Sequence, residues 1–167
     1  MMPRRRVPRP VFEVTGDGVV LNLESDDRAL LLRLLDELRS LLQSDDAAAQ
    51  PLLRRLFPPA YIEHQHAEAE AEFQRFMRDE LVTSRLTAIE SVEAVLREPR
   101  PFTEETAMGM LHAFNNVRLV LGTLLDVGED DDPDEVDDDD PMVGEHHLYM
   151  YLSWLVNSLV VALGGAE

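Results

Sequence analysis

Leucines recur at three- and four-residue spacing from Ser25 to Gln43, and this constrains the fold more than any other feature of the chain. Leu31, Leu34, Leu35, Leu38, Leu41 and Leu42 fall on one helical stripe, while Arg33, Asp36, Glu37 and Arg39 face water. Ser25-Asp26-Asp27 offers a capping residue and first-turn acids at the start. The same period returns in Met110, Phe114, Val117, Leu121, Leu124 and Leu125. They form the core stripe of a helix that Thr103-Glu104-Glu105 caps and that runs to about Val127. It returns again in Leu148, Leu152, Leu155, Leu159 and Leu163, one face of a last helix over about Glu145 to Leu163. Met150, Trp154 and Val161 fill much of the opposite face, and a helix apolar almost all round belongs in the centre of a bundle.

The intervening segments complete the architecture. Val11–Thr15 and Val19–Leu23 alternate apolar and polar around Gly16-Asp17-Gly18, which reads as a β-hairpin that must lie on helices to be stable. After a polar loop over 44–50, Pro51 fits the first turn of a short helix ending at Pro58-Pro59. From about His66 to Arg97 the pattern is helical, but its apolar face shifts midway. Ala69, Phe73, Phe76, Met77 and Leu81 make one stripe, and Leu86, Ile89, Val92 and Leu96 make another, with Thr83-Ser84 between them. Two helices meeting there is favoured over one helix with different neighbours along its length. No solenoid-period repeat is evident. The expected fold class is mainly α, a helical bundle of about five helices with a short N-terminal β-hairpin. Residues 1–10 form a disordered basic tail, and 11–167 form a single helical domain with an acidic disordered loop at 128–142.

Charge and composition narrow the function. The chain has 167 residues, is 45% hydrophobic, and carries a formal net charge of −18. Residues 129–140 hold ten acids in twelve positions, a self-repelling run that reads as a solvated linker or a docking strip for a basic partner. Setting aside those ten acids and the tail's Arg4, Arg5, Arg6 and Arg9 still leaves −12 on the body. Such a surface argues against a stand-alone nucleic-acid binder, which needs a basic face to displace phosphate counterions. The absence of cysteine excludes a disulfide scaffold, a zinc–cysteine site, an iron–sulfur centre and a thiol enzyme. The N-terminal arginines are not followed by the apolar stretch of a signal peptide. The most apolar segment, Leu148–Leu163, has 16 residues, short of the ~20 that a bilayer span needs. A cytoplasmic protein is expected.

No catalytic constellation emerges. His64 and His66, and His146 and His147, match no metal-ligand spacing, so neither a metal nor another cofactor is expected. There is no phosphate-binding glycine loop and no nucleophile elbow, and the chain does not read as an enzyme. Arg118 falls inside the apolar stripe of its helix, between Leu111 and Leu125, and a buried guanidinium needs a carboxylate. Glu70 and Glu80 lie on the Phe73/Phe76/Met77 face, and a structural ion pair between Arg118 and Glu70 is the favoured pairing. Asn115 flanks the same stripe, where it fits a helix crossing or a partner surface.

Four segments then resemble a known family in their order and spacing. They are Arg54-Arg55-Leu56-Phe57-Pro58-Pro59-Ala60-Tyr61, Ala67–Phe73, His112–Thr123 with its Phe114-Asn115-Asn116-Val117-Arg118 centre, and Tyr149–Leu163 with Ser153-Trp154-Leu155. Together they resemble an actinobacterial family catalogued as a domain of unknown function, some of whose members are named oxidative-stress transcriptional regulators, the AosR family. The resemblance implies a cytoplasmic helical regulator that works with an alternative sigma factor of RNA polymerase. In the named members this promotes an alternative cysteine-biosynthesis route under oxidative stress. Those members are held to sense oxidation through a cysteine pair, and this chain, lacking cysteine, departs from them there. Phe57, Tyr61, Asn115, Arg118 and Trp154 carry over as family-motif positions without assigned roles. Given the acidity, action through a sigma factor or RNA polymerase by protein contact is expected, and promoter contact through Arg4, Arg5 and Arg6 is secondary. The alternative is a non-enzymatic adaptor or structural homo-oligomer, such as a homodimer through the Trp154 side of the last helix. A metal-dependent enzyme is the least supported reading.

Overall fold

Val19 and Phe102 exchange two backbone hydrogen bonds, of 2.8 and 2.9 Å, and this bridge ties the N-terminal hairpin to the start of a helix far along the chain. The hairpin pairs β1 (Phe12–Thr15) with β2 (Gly18–Leu21) antiparallel, Phe12 opposite Leu21 and Thr15 opposite Gly18. Gly18 has φ 129°, and a Cβ there would lie 2.6 Å from the Phe102 carbonyl oxygen, so the position admits only glycine. The computed structural model of the chain describes residues 8–44, 49–53, 56, 67–98, 100–126 and 138–164. The side chains of Gln50, Ala67, Glu70 and Gln74 fall outside that description.

Among the described residues five helices follow the hairpin, as the apolar periodicities require: α1 (Ser25–Leu42), α2 (Gln50–Leu53), α3 (Ala67–Arg97), α4 (Glu104–Leu124) and α5 (Val143–Gly164). The protein is mainly α, a helical bundle with an N-terminal β-hairpin. In α1, Leu31, Leu34, Leu35, Leu38 and Leu42 are buried, each contributing about 1.5–3 kcal/mol relative to exposure. Its cap differs from the sequence reading. Glu24 occupies the N-cap without a side-chain hydrogen bond, and Ser25 is already helical, with Asp26 and Asp27 left to favour the N-terminal dipole. Thr103 does cap α4, its hydroxyl oxygen accepting from the Thr106 N–H at 3.1 Å. That helix ends at Leu124, earlier than expected, because Asp126 turns the chain in a left-handed conformation with φ 53°.

Two further expectations are corrected. Residues 67–97 form one helix, not two. Thr83, Thr87 and Ser91 each donate to the carbonyl four residues back, which keeps hydroxyl-bearing side chains inside the helix rather than at a break. The shift of apolar face reflects surroundings. Ile89, Val92 and Leu96 are buried, while Phe73, Phe76, Met77 and Leu81 are exposed. The central helix is α4, which packs against α5, α3, α2, α1 and β2. It buries Ala107, Met110, Ala113, Phe114, Val117 and Gly122. Helix α5 lies to one side, on α4 and β1, burying only the line of Leu152, Leu155 and Leu159. With 22 residues and an 18-residue window of mean hydropathy 1.3, α5 is longer than its apolar run alone indicated. It is long and apolar enough to cross a membrane by length and composition.

Candidate functional site on the outer face of the last helix

Helix α5 is set up by a turn in which the Asp140 carboxylate accepts from the Met142 N–H at 2.8 Å and its carbonyl accepts from the Val143 N–H at 3.0 Å. From there one line of the helix turns to α4 and the opposite line to solvent. The exposed positions are His147, Met150, Trp154, Asn157, Val161 and Gly164, an alternating three- and four-residue spacing. The indole of Trp154 is 51% exposed and Val161 is 64% exposed, with Val160 beside them at 49%. Tyr151 flanks Trp154, ring centroids 5.9 Å apart at 31°, which limits where the indole can turn. No Asp, Glu, Lys or Arg occurs from His146 to Ala166. An uncharged exposed stripe that carries Met150, Trp154 and Val161 suits a contact surface, since isolated exposed apolar residues are common but rows of them with a tryptophan are not.

Two other surfaces share this character. The exposed stripe of α3 carries Phe73 at 56% and Phe76 at 60% exposure, beside Glu72, Arg75, Asp79 and Glu80. Between α1 and α4, Leu38, Leu41, Val120, Leu121 and Leu124 line an apolar groove of about 230 Å³, with Glu37 on its edge. All three surfaces suit side chains of a protein partner better than they suit a reaction.

The sequence candidates are placed as follows. Arg118 is half-buried and donates to the Asn115 Oδ1 at 2.7 Å, one turn back on α4. Glu70, its favoured partner, lies on α3 with its side chain outside the described residues. Phe57, Tyr61, Arg4, Arg5, Arg6 and residues 129–137 of the acidic run also lie outside them. Trp154 is on the exposed stripe. Among the described residues no three His, Asp or Glu side chains come together as a metal site would require.

Sequence reasoning missed Glu93, the one buried charged residue among the described residues, at 3% exposure. Its Oε1 pairs with Arg39 of α1, and its Oε2 with Arg97 at 3.2 Å. Arg39 therefore does not simply face water. The signal was present, because Glu93 lies between Ile89 and Leu96 on the buried stripe. Tyr151 is the other buried polar group of note. Its hydroxyl has no hydrogen-bond partner. Burial, with the Asp27 carboxylate second, pushes its phenol up to about 12.

The profile of a family described as a domain of unknown function, DUF2017, matches residues 6–163. No curated protein matches the chain. No solved structure matches it either.

Proposed function

The chain belongs to the DUF2017 family, a domain of unknown function, and we propose that it is a non-enzymatic regulator that acts by docking a protein partner on the outer face of α5. The observation that carries this reading is Trp154, exposed in the middle of an uncharged helical stripe on a chain of net charge −18. Tryptophan is the side chain most enriched among residues that dominate binding energy. The three- and four-residue spacing of the stripe fits a partner helix or a groove. The acidity around it favours a partner with basic surroundings, because complementary charge speeds encounter and selects against like-charged surfaces. Two copies of this chain would repel one another, and so would DNA.

The partner class that the resemblance to the actinobacterial AosR-type regulators implies is a sigma factor or RNA polymerase, met in the cytoplasm. With no cysteine, such a regulator works here without a thiol switch. The test is direct binding of purified core polymerase and of each sigma factor to the immobilised chain, at low and high salt. Saturable binding that weakens with salt is the expected result. Absence of binding to all of them contradicts the reading. A mass of twice 18.9 kDa in solution, reduced to one by Val161→Asp, would assign the face to self-association instead.

A further inference from the structure

The apolar groove of about 230 Å³ opens between two turns of α1, from Leu34 to Leu41, and two turns of α4, from Val117 to Leu124. Leu34, Leu38 and Val117 are buried at its floor, while Leu41 is half-buried and Leu124 is 45% exposed at its mouth. Seven residues of helix rise about 10 Å, so the groove has the length of two turns of a third helix. Its volume is below the roughly 300–1,000 Å³ of sites that enclose a whole small molecule, so it accepts inserted side chains instead. Among the described residues its only polar lining residue is Glu37, which is exposed and enters no ion pair with them. An adjoining depression shares Glu37 and Leu41 and adds Asp36 and Ser40 of α1 with Leu52 of α2. No described Arg, Lys or His lines either one.

We propose that this groove is a second docking surface and takes a cationic amphipathic helix of a partner protein. Apolar side chains at i, i+3 or i+4, and i+7 of that helix enter the groove, the spacing that a length of two turns selects. Lys or Arg beside them meets Glu37 and Asp36. Charge selects this occupant. An uncharged helix would take the Glu37 carboxylate out of water without a partner, which is costly. A second copy of this chain offers no cationic helix, since each of α1, α3, α4 and α5 holds more acids than arginines. No residue of the groove belongs to α5, so the proposal stands whether or not the α5 face docks a partner.

The test titrates the full chain with a peptide of leucine and lysine, about 14 residues long, with its leucines on one helical face, enough for a helix once bound. Methyl NMR signals of Leu41, Val120 and Leu124 report the groove, and those of Met150 and Val161 report the α5 face. Saturable shifts at the groove are expected, with binding at least about tenfold tighter than that of a same-composition peptide whose leucines are spread round the helix. Leu124→Gln makes the mouth polar without changing charge and is expected to weaken binding about fivefold. Glu37→Gln is expected to weaken it about two- to fivefold, as loss of an exposed ion pair implies, while Glu72→Gln, the same charge removed from α3, leaves it unchanged. Glu37, Glu72 and Leu124 are all exposed, so these variants keep the fold. Shifts confined to Met150 and Val161, or equal binding of the two peptides, overturn the proposal. Dimerisation of the chain that Leu124→Gln abolishes would assign the groove to a second copy and overturn it as well.

Discussion

Glu93 on α3 and Arg39 on α1 form an ion pair in the interior of the helical bundle, the carboxylate shared with Arg97 and the guanidinium shared with Asp36. It joins two helices that also meet through apolar side chains and through Arg28 Nη1 donating to the Leu96 carbonyl at 3.4 Å. A buried carboxylate left without its cation is strongly destabilising, whereas an exposed one is not. Arg39→Ala, which takes the α1 cation from the buried Glu93 carboxylate, is expected to cost about 3 kcal/mol in urea unfolding. Arg97→Ala, at the exposed end of the network, is expected to cost less than about 0.5 kcal/mol. Equal effects of the two would show that the network is not polarised toward α1.

The hairpin depends on Gly18. Gly18→Ala places a methyl against the Phe102 carbonyl and forces a positive φ on a residue with a Cβ. A loss of at least about 2 kcal/mol is expected, measured by thermal or urea unfolding. Gly16→Ala, where a Cβ meets nothing within 4 Å, serves as the matched control with a small effect.

The end of α4 offers a change in the other direction. Asp126 holds the left-handed position that glycine usually takes after a helix. Asp126→Gly is expected to stabilise the protein by about 0.5–1 kcal/mol, provided the helix still ends at Leu124, which amide exchange would report.

Tyr151 makes stability depend on alkaline pH. Its phenol is pushed up to about 12 in the folded protein, against about 10 in an unfolded chain. Above the unfolded value the unfolded chain loses this proton while the folded one keeps it, so stability falls as pH rises through that window. No lysine titrates there, because all 15 cationic residues are arginine. Tyr151→Phe is expected to flatten the decline in melting temperature over this range. At neutral pH it also removes a buried hydroxyl with no hydrogen-bond partner, so stability should hold or rise by up to about 1 kcal/mol.

Much of the fold was legible in the periodicities. The leucines of α1, the Thr103 cap and the glycine-centred hairpin were each specified by local chemistry that the structure obeys. What misled was coverage. Spacing shows which residues of a helix are apolar, but not which of its faces another element reaches. Thus α5 was read as central because both its faces are apolar, yet α4 holds the centre and Trp154 is left exposed. The same reason divides α3, where Phe73 and Phe76 continue an apolar pattern beyond the reach of α1 and α4. Glu93 was overlooked although it lies on the buried stripe of Ile89 and Leu96, because that stripe marks its burial but not its partner Arg39 on another helix. The candidate face was therefore present in the sequence as a stripe, and only the packing turned it into a surface.

The most direct test of the α5 face as a docking surface compares Trp154→Ala with the wild-type chain in binding to whichever sigma factor or polymerase subunit the wild type engages. Trp154 is exposed and flanked by the ring of Tyr151, so the variant should remain folded, with helical content unchanged by circular dichroism. The account predicts a loss of affinity of about 30-fold, as removal of an anchoring tryptophan worth ~2 kcal/mol implies. Undiminished affinity in a folded Trp154→Ala protein would contradict it.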